Sequence, residues 1–389
     1  MEIASRMDRL SESITMAITS LSKQLKAEGK DVLSFSAGEP DFGTPQVIKD
    51  AAIKALENNE TTYTAVEGTL ECREAVCLKL KKDNGLDYDP SEILLGNGAK
   101  HSLFNIFQAM ISEGDEVIIP APYWVTYPEQ VKYSGGTVVE IVTDDSSSFK
   151  ITPEQLKNAI TDKTKALVLT TPSNPTGSVY TKEEILALSE VLKGTDITVL
   201  SDEMYEKLMY DNMKFTAVAS VNEDMYNRTI TINGLSKSVA MTGWRFGYLA
   251  TKDKELFKAM KKLQSQSTSN INSITQAAAI TALDGSADED IEMMRKEFEK
   301  RRDIACELIN EIEGLSVVKP NGAFYLFVNI KEISNDSMEF SKGLLEEVGV
   351  AVVPGVAFGL EGYFRLSFAT SEEIIRDGIS RIKKFTQNR

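Results

Sequence analysis

The run Asn233–Tyr248, NGLSKSVAMTGWRFGY, sets a lysine, Lys237, among small and hydroxyl residues just after the apolar run Arg228-Thr229-Ile230-Thr231-Ile232. Arg245 follows eight positions on, bracketed by Gly243 and Gly247. A lysine held among Ser and Gly has little to pair with and room for a bulky group beside it. Those are the conditions under which an amine bonds covalently to an aldehyde instead of sitting solvated on a surface. One lysine among 43 Lys+Arg would ordinarily be a loop lysine. The residues it keeps company with argue otherwise.

Four further segments fall near the carboxyl ends of expected strands, where open α/β sheets place their ligands. Leu95-Gly96-Asn97-Gly98-Ala99-Lys100-His101-Ser102 is a Gly-containing turn leading into a helix, and free N–H groups at a helix start favour a phosphate. Pro172-Ser173-Asn174-Pro175-Thr176-Gly177 is a rigid turn that would aim the Asn174 side chain. Ser201-Asp202-Glu203-Met204-Tyr205 ends a strand in an acid, although an aspartate there more often caps a helix. Phe364-Arg365-Leu366-Ser367-Phe368 puts an arginine in an apolar strand, where flanking aromatics suggest a half-buried grip on a carboxylate. Each segment alone has an ordinary structural explanation. Together they describe a site for pyridoxal phosphate: a lysine for a Schiff base, an acid for a protonated ring nitrogen, Asn and Tyr for a phenolate, and a helix start plus Arg for phosphate.

Composition bounds the rest. A chain of 389 residues with 42% hydrophobic content is expected to form two domains. A formal net charge of −15 argues against nucleic acid or an anionic membrane as partner. His101 is the sole histidine, so a Ser-His or Cys-His scheme has one possible centre, and lysine is the natural proton carrier. Cys72, Cys77 and Cys306 cannot all pair within one chain. Reduced thiols in a cytoplasmic protein are the simplest account, with Cys72 and Cys77 expected on one helix face. No Cys/His spacing suits zinc, and no metal is expected. The start, MEIASRMDRLSESITMAI, reads as neither signal nor anchor, and no apolar run approaches a membrane span.

The middle of the chain alternates β-branched runs with helical patterns, which predicts an α/β fold with a mostly parallel mixed sheet. Expected strands are 92–95, 116–119, 137–141, 166–170, 198–201, 229–232 and 248–250, with helices over 100–111, 153–160 and 182–192. A charged amphipathic run, 288–313, precedes a smaller α+β unit with strands at 317–319, 323–329, 350–353 and 364–368 and helices over 337–347 and from 371. The expected division is a large cofactor-binding domain over 46–288 and a small domain over 289–389. Residues 1–45 are grouped with the small domain, although pattern alone leaves their partner open.

The motifs AGEPDF, PYW, NPTG, SDEMY, SKSVAMTGWRFGY and RLSFA occur in this order, and from Ser13 onward the chain resembles the class I/II aminotransferases of fold type I, most closely the bacterial aspartate aminotransferase subgroup. The resemblance implies that Lys237 is the Schiff-base lysine and proton shuttle and that Asp202 pairs with the pyridine nitrogen. It implies further that Asn174 and Tyr205 bond the phenolic oxygen, that Trp124 stacks on the ring, and that Gly98, Ala99, Ser236 and Arg245 cradle the phosphate. Tyr63 matches a tyrosine given to the neighbouring subunit's phosphate site, which implies a homodimer with shared sites. Arg365 would grip the substrate α-carboxylate, helped by Asn174, Trp124 and the Gly38 backbone. Lys100, beside the cofactor, would meet the distal carboxylate of an acidic substrate, with the Ser13 and Thr15 hydroxyls lining that pocket.

The implied activity is transamination of L-aspartate with 2-oxoglutarate by ping-pong half-reactions. An aromatic or kynurenine-type aminotransferase, or a C–S β-lyase, is the alternative on the same scaffold. A non-catalytic ligand sensor is more remote, because no basic DNA-binding unit precedes the region of similarity. The sequence departs from the pattern at Phe246, where an aliphatic residue is usual, and at Ser11-Glu12, where a basic residue and proline are usual. The added acid argues against further dicarboxylates such as prephenate.

Overall fold

Alternation of burial along the strands decides how the sheet is covered. In the computed structural model, which describes residues 3–12 and 14–387, seven strands form one sheet. In chain order they are β2 (Ile93–Asn97), β3 (Glu116–Ala121), β4 (Thr137–Val142), β5 (Thr164–Thr170), β6 (Thr198–Asp202), β7 (Thr229–Gly234) and β8 (Phe246–Ala250), after a short β1 (Leu33–Ser34) outside this sheet. Their spatial order is β2-β8-β7-β6-β5-β3-β4. The pairs from β4 through β7 are parallel, and β8 runs antiparallel to both its neighbours. Every strand expected for this sheet is present, each longer by one or two residues.

Successive side chains on a strand point to opposite faces. Val117, Ile119, Val168, Leu200, Ile232 and Leu249 join one core, while Ile118, Leu167, Leu169 and Val199 join another on the reverse face. A third core, also on the reverse face, gathers Ile93, Leu95, Tyr248 and Ala250. The helices that cover the sheet and its flanks, after α1 (Ile14–Ala27), are α2 (Gln46–Glu57), α3 (Leu70–Lys79), α4 (Ala99–Met110), α5 (Thr126–Ser134), α6 (Pro153–Ala159), α7 (Lys182–Leu192), α8 (Glu223–Arg228), α9 (Lys254–Ser267) and α10 (Ser273–Leu283). Helix α7 has the length expected, opened by a reciprocal capping box between Thr181 and Glu184.

The long helix α11 (Asp288–Asn310) leads to the C-terminal unit of β9 (Ser316–Val317), β10 (Tyr325–Asn329), α12 (Ser337–Val348), β11 (Val350–Ala351), β12 (Val353–Pro354), β13 (Tyr363–Ser367) and α13 (Glu372–Thr386). Helix α11 carries buried charge. Arg302 on it is fully buried, bonded through both terminal nitrogens to Asp211 and through one of them to the Pro320 carbonyl. Arg301 pairs with Asp41 at 2.8 Å, which ties the N-terminal Gly38–Phe42 loop to this helix. The N-terminal segment also adds β1 in parallel to β11, Leu33 opposite Val350.

Cys72 and Cys77 both lie on α3, but a five-residue offset turns about 140° around a helix, so the shared face expected for them is corrected. Cys72 is buried and Cys77 half-buried, and all three cysteines are free. Among the described residues no helix is long and apolar enough to cross a membrane.

Candidate active site

The site is assembled at the carboxyl end of the sheet, as strand ends and the loops after them converge there. β6 runs out into Asp202, which is buried on the same face as Leu200, two residues before it. One carboxylate oxygen accepts the Tyr127 hydroxyl at 2.7 Å and the other accepts the Met204 N–H at 3.2 Å. Tyr127 therefore takes its second bond, at 2.9 Å, as acceptor from the Thr170 hydroxyl. Burial raises the Asp202 carboxyl above the usual range, and Tyr127, the Met204 amide and Lys237 oppose that rise. The acid is a sheet-end carboxylate on the site face, not a helix cap.

Lys237 follows β7, and its amine donates to the Gly38 carbonyl. Burial pushes the amine down to about 8; Glu39 and Asp202 hold it up, while Arg365 and Arg245 press it further down. An amine near 8 has an appreciable neutral, nucleophilic fraction at ordinary pH. Met241 is fully buried and Trp244 partly buried behind this loop.

The turn before α4 is shaped by close approach. Gly98 has φ of +81°, and a Cβ there would lie 2.5 Å from Arg245 Nη2. A Cβ on Gly247 would overlap the Ala99 amide nitrogen. Glycine is the residue that admits both contacts. The helix start carries no side-chain cap, which leaves first-turn N–H groups available to an anion. His101 is not in the chemistry: its Nδ1 accepts the Asn97 N–H at 3.1 Å and so braces the turn. Arg245 donates to the Thr242 and Asn97 carbonyls, at 2.8 and 3.1 Å, from the exposed rim. Ser236 is buried just before Lys237.

Arg365 lies deeper than the half-buried position expected, at 3% exposure. Nη1 donates to Asn174 Oδ1 at 3.0 Å, Nη2 donates to the Ser36 carbonyl at 2.8 Å, and Nε has no partner. Its guanidinium lies 4.4 Å from the centre of the Tyr325 ring. Tyr205 is buried, with its hydroxyl 2.9 Å from that of Tyr325. Lys100 Nζ stands 4.9 Å from the centre of the Trp124 ring, and burial followed by the Arg245 charge lowers its amine. Thr15 Oγ1 is buried without a hydrogen-bond partner, while Ser13 lies outside the described residues. Tyr63 stands apart, 90% exposed. Tyr127, Thr170, Ser36 and Tyr325 were missed from sequence; the one available signal was Tyr127, a helical turn after the Trp124 of PYW.

Lys100, Lys237, Arg245 and Arg365 form no ion pair with a carboxylate among the described residues. A buried cation without a counter-charge costs several kcal/mol, so Arg365, buried and unpaired beside three further cations without acidic partners in a protein of net charge −15, marks a site built for anionic ligands.

A fold and a site of this kind define a class. Residues 30–382 match the family model for aminotransferase class I and II, and the chain belongs to that family. It is 49% identical to the aspartate aminotransferase of Bacillus subtilis (strain 168), covering 100% of this chain and 99% of that protein. Among solved structures, the aspartate aminotransferase of Rhizobium meliloti superposes with a TM-score of 0.96 at 41% identity, covering 100% of this chain and 99% of that one. The aspartate aminotransferase of Thermus thermophilus with maleate superposes at 0.95 and 40% identity, covering 99% and 100%. The chain is a pyridoxal-phosphate-dependent aminotransferase of fold type I. The residues present fit that cofactor: an amine with a lowered pKa for its aldehyde, a buried acid for its ring nitrogen, and an uncapped helix start beside an arginine with no acidic partner for its phosphate.

Proposed function

We propose that the enzyme transfers the amino group of L-aspartate to 2-oxoglutarate, giving oxaloacetate and L-glutamate in two half-reactions. The observation that carries this reading is the pair of unneutralised cations, Arg365 and Lys100, each beside an aromatic face of one site. Two cations suit the two carboxylates of an acidic substrate. Supporting it, relatives at 49% and 48% identity carry the name aspartate aminotransferase, and the Thermus thermophilus protein was solved with maleate, a dicarboxylate.

In this reading Lys237 and Asp202 would hold the cofactor, Tyr205 and Asn174 would bond its phenolic oxygen, and Trp124 would pack against its ring. Gly98, Ala99, Lys100, Ser236 and Arg245 surround its phosphate. Pyridoxal phosphate supplies an electron sink for the charge left when the substrate Cα proton departs. The chain supplies everything else. Arg365, steadied by Asn174 Oδ1 and the Ser36 carbonyl, fixes the α-carboxylate in a fork. Lys100, Thr15 and Ser13 take the distal carboxylate. The Lys237 amine would take the Cα proton and carry it across the site. Asp202 would face the ring nitrogen, and the Tyr127 hydroxyl and the Met204 amide that donate to it favour its ionised form against the upward push of burial, so that its charge would stabilise a protonated ring.

Tyr63 and the exposed Val47, Ile53, Leu56 and Leu70 support a homodimer in which Tyr63 reaches the partner's phosphate site. An open cleft of about 690 Å³ beside Arg245, lined in part by Leu56, Trp244 and Asn272, has room for it. The pairing of β1 with β11 and the Arg381–Asp31 contact at 2.7 Å support grouping residues 1–45 with the small domain 289–389, apart from 46–288. Three free thiols support a cytoplasmic location.

A single-turnover screen tests the specificity. The cofactor-loaded protein is mixed with one amino acid at a time and the change in cofactor absorbance is followed. Aspartate and glutamate react fast and phenylalanine slowly if the reading is right; the reverse order assigns the enzyme to aromatic substrates.

A further inference from the structure

One buried tyrosine touches three parts of the site. Tyr325, on β10, is 1% exposed, and its hydroxyl lies 2.9 Å from that of Tyr205. The two rings meet edge to face, 5.8 Å apart at 76°. The face of the Tyr325 ring carries the Arg365 guanidinium at 4.4 Å. The same hydroxyl backs onto Gly38, where a Cβ would lie 3.2 Å from it. Tyr205 comes from the loop after β6, Arg365 from β13 and Gly38 from the N-terminal segment, so one side chain bridges three separate stretches of chain.

Two hydroxyls joined by one hydrogen bond have two protons between them. One lies in the bond, and the other is left for a further acceptor. Whichever tyrosine donates frees its partner's proton. A cation over the Tyr325 ring draws charge from its oxygen, which makes Tyr325 the better donor of the two. The Tyr205 oxygen then accepts, and the Tyr205 proton is free to point into the site. Accepting a bond also polarises the Tyr205 O–H and strengthens its own donation.

We propose that the Tyr325 hydroxyl is a positioning group that fixes the direction and strength of the hydrogen bond Tyr205 gives to the cofactor's phenolic oxygen. This rests on the assignment of Tyr205 under Proposed function. Aromatic ring and hydroxyl have separable tasks: the ring supports Arg365, and the hydroxyl acts through Tyr205.

The test is the pH titration of the visible absorbance of the lysine-bound cofactor in the loaded enzyme. A donor to the phenolic oxygen stabilises its anionic form, so weakening that donor raises the midpoint. Tyr205→Phe raises it most. Tyr325→Phe, which keeps the ring, raises it by about half a pH unit while affinity for maleate stays within about twofold. Gly38→Ala, which displaces the Tyr325 hydroxyl without removing it, moves the midpoint the same way. The double variant Tyr205→Phe/Tyr325→Phe titrates like Tyr205→Phe alone, because the effect passes through Tyr205. An unmoved midpoint in Tyr325→Phe beside a raised one in Tyr205→Phe overturns the inference, as does an additive double variant. An unmoved midpoint in Tyr205→Phe overturns the assignment of Tyr205 itself, and this inference with it.

Discussion

Lys237 shows how much of the chemistry is a matter of surroundings. Burial costs a charged amine its hydration, and Arg365 and Arg245 add like charge, so the proton is held less tightly than on a surface lysine. The sign is definite: with the pKa lowered from 10.5 to about 8, the neutral amine dominates above about 8 and falls off below it. For the cofactor-free protein, the rate at which pyridoxal phosphate bonds to Lys237 is therefore expected to rise about tenfold per pH unit below that point and to level off above it. Stopped-flow absorbance between pH 6 and 10 measures it. A rate still climbing at pH 10 would mean an ordinary lysine. Arg365 complements this residue: it is charged, buried and unneutralised, and its solvation is restored by a substrate carboxylate.

At the scale of elements, the phosphate end depends on one close approach, between β8 and the start of α4. The Gly247 backbone lies against Gly98 and Ala99, so the strand can sit beneath the uncapped helix start. Gly247→Ala should push the two apart and weaken cofactor retention by about tenfold to a hundredfold while leaving the far-ultraviolet circular dichroism unchanged. Equilibrium dialysis against pyridoxal phosphate reads this, and unchanged retention would contradict it.

The strands of the sheet were legible because β-branched runs ending in Gly, Asn, Asp or Pro mark them, and Asp202, Asn174, Gly98 and Lys237 stood out at their ends. Other parts were not. Helix α10, SITQAAAITAL, is apolar all round and shows no period, and α5 carries Pro128 in its first turn. Tyr127 looks like a core aromatic until its bond to Asp202, 75 residues on, is seen. The Tyr205–Tyr325 bond spans 120 residues, and nothing local to either announces it. The placement of the N-terminal segment rests on two residues of β1 meeting a strand more than 300 residues away, a pairing below the reach of any pattern.

For the whole molecule, the proposed sharing of the site across a dimer would make assembly and cofactor binding one equilibrium. Dilution that separates the subunits should then release pyridoxal phosphate in step, because in that assembly the exposed Tyr63 would leave its partner's phosphate site. Sedimentation velocity with detection at the cofactor's absorbance follows both at once. A monomer that keeps its cofactor as tightly as the dimer would rule out a shared site.

The proposed function rests on one covalent bond, from the Lys237 amine to the cofactor. Its most direct measurement is borohydride reduction of the loaded protein, followed by digestion and peptide mass analysis. The account predicts that the pyridoxyl group is found on Lys237 alone, with none retained by Lys237→Ala. Recovery of the group on a different lysine, or on none, would contradict it.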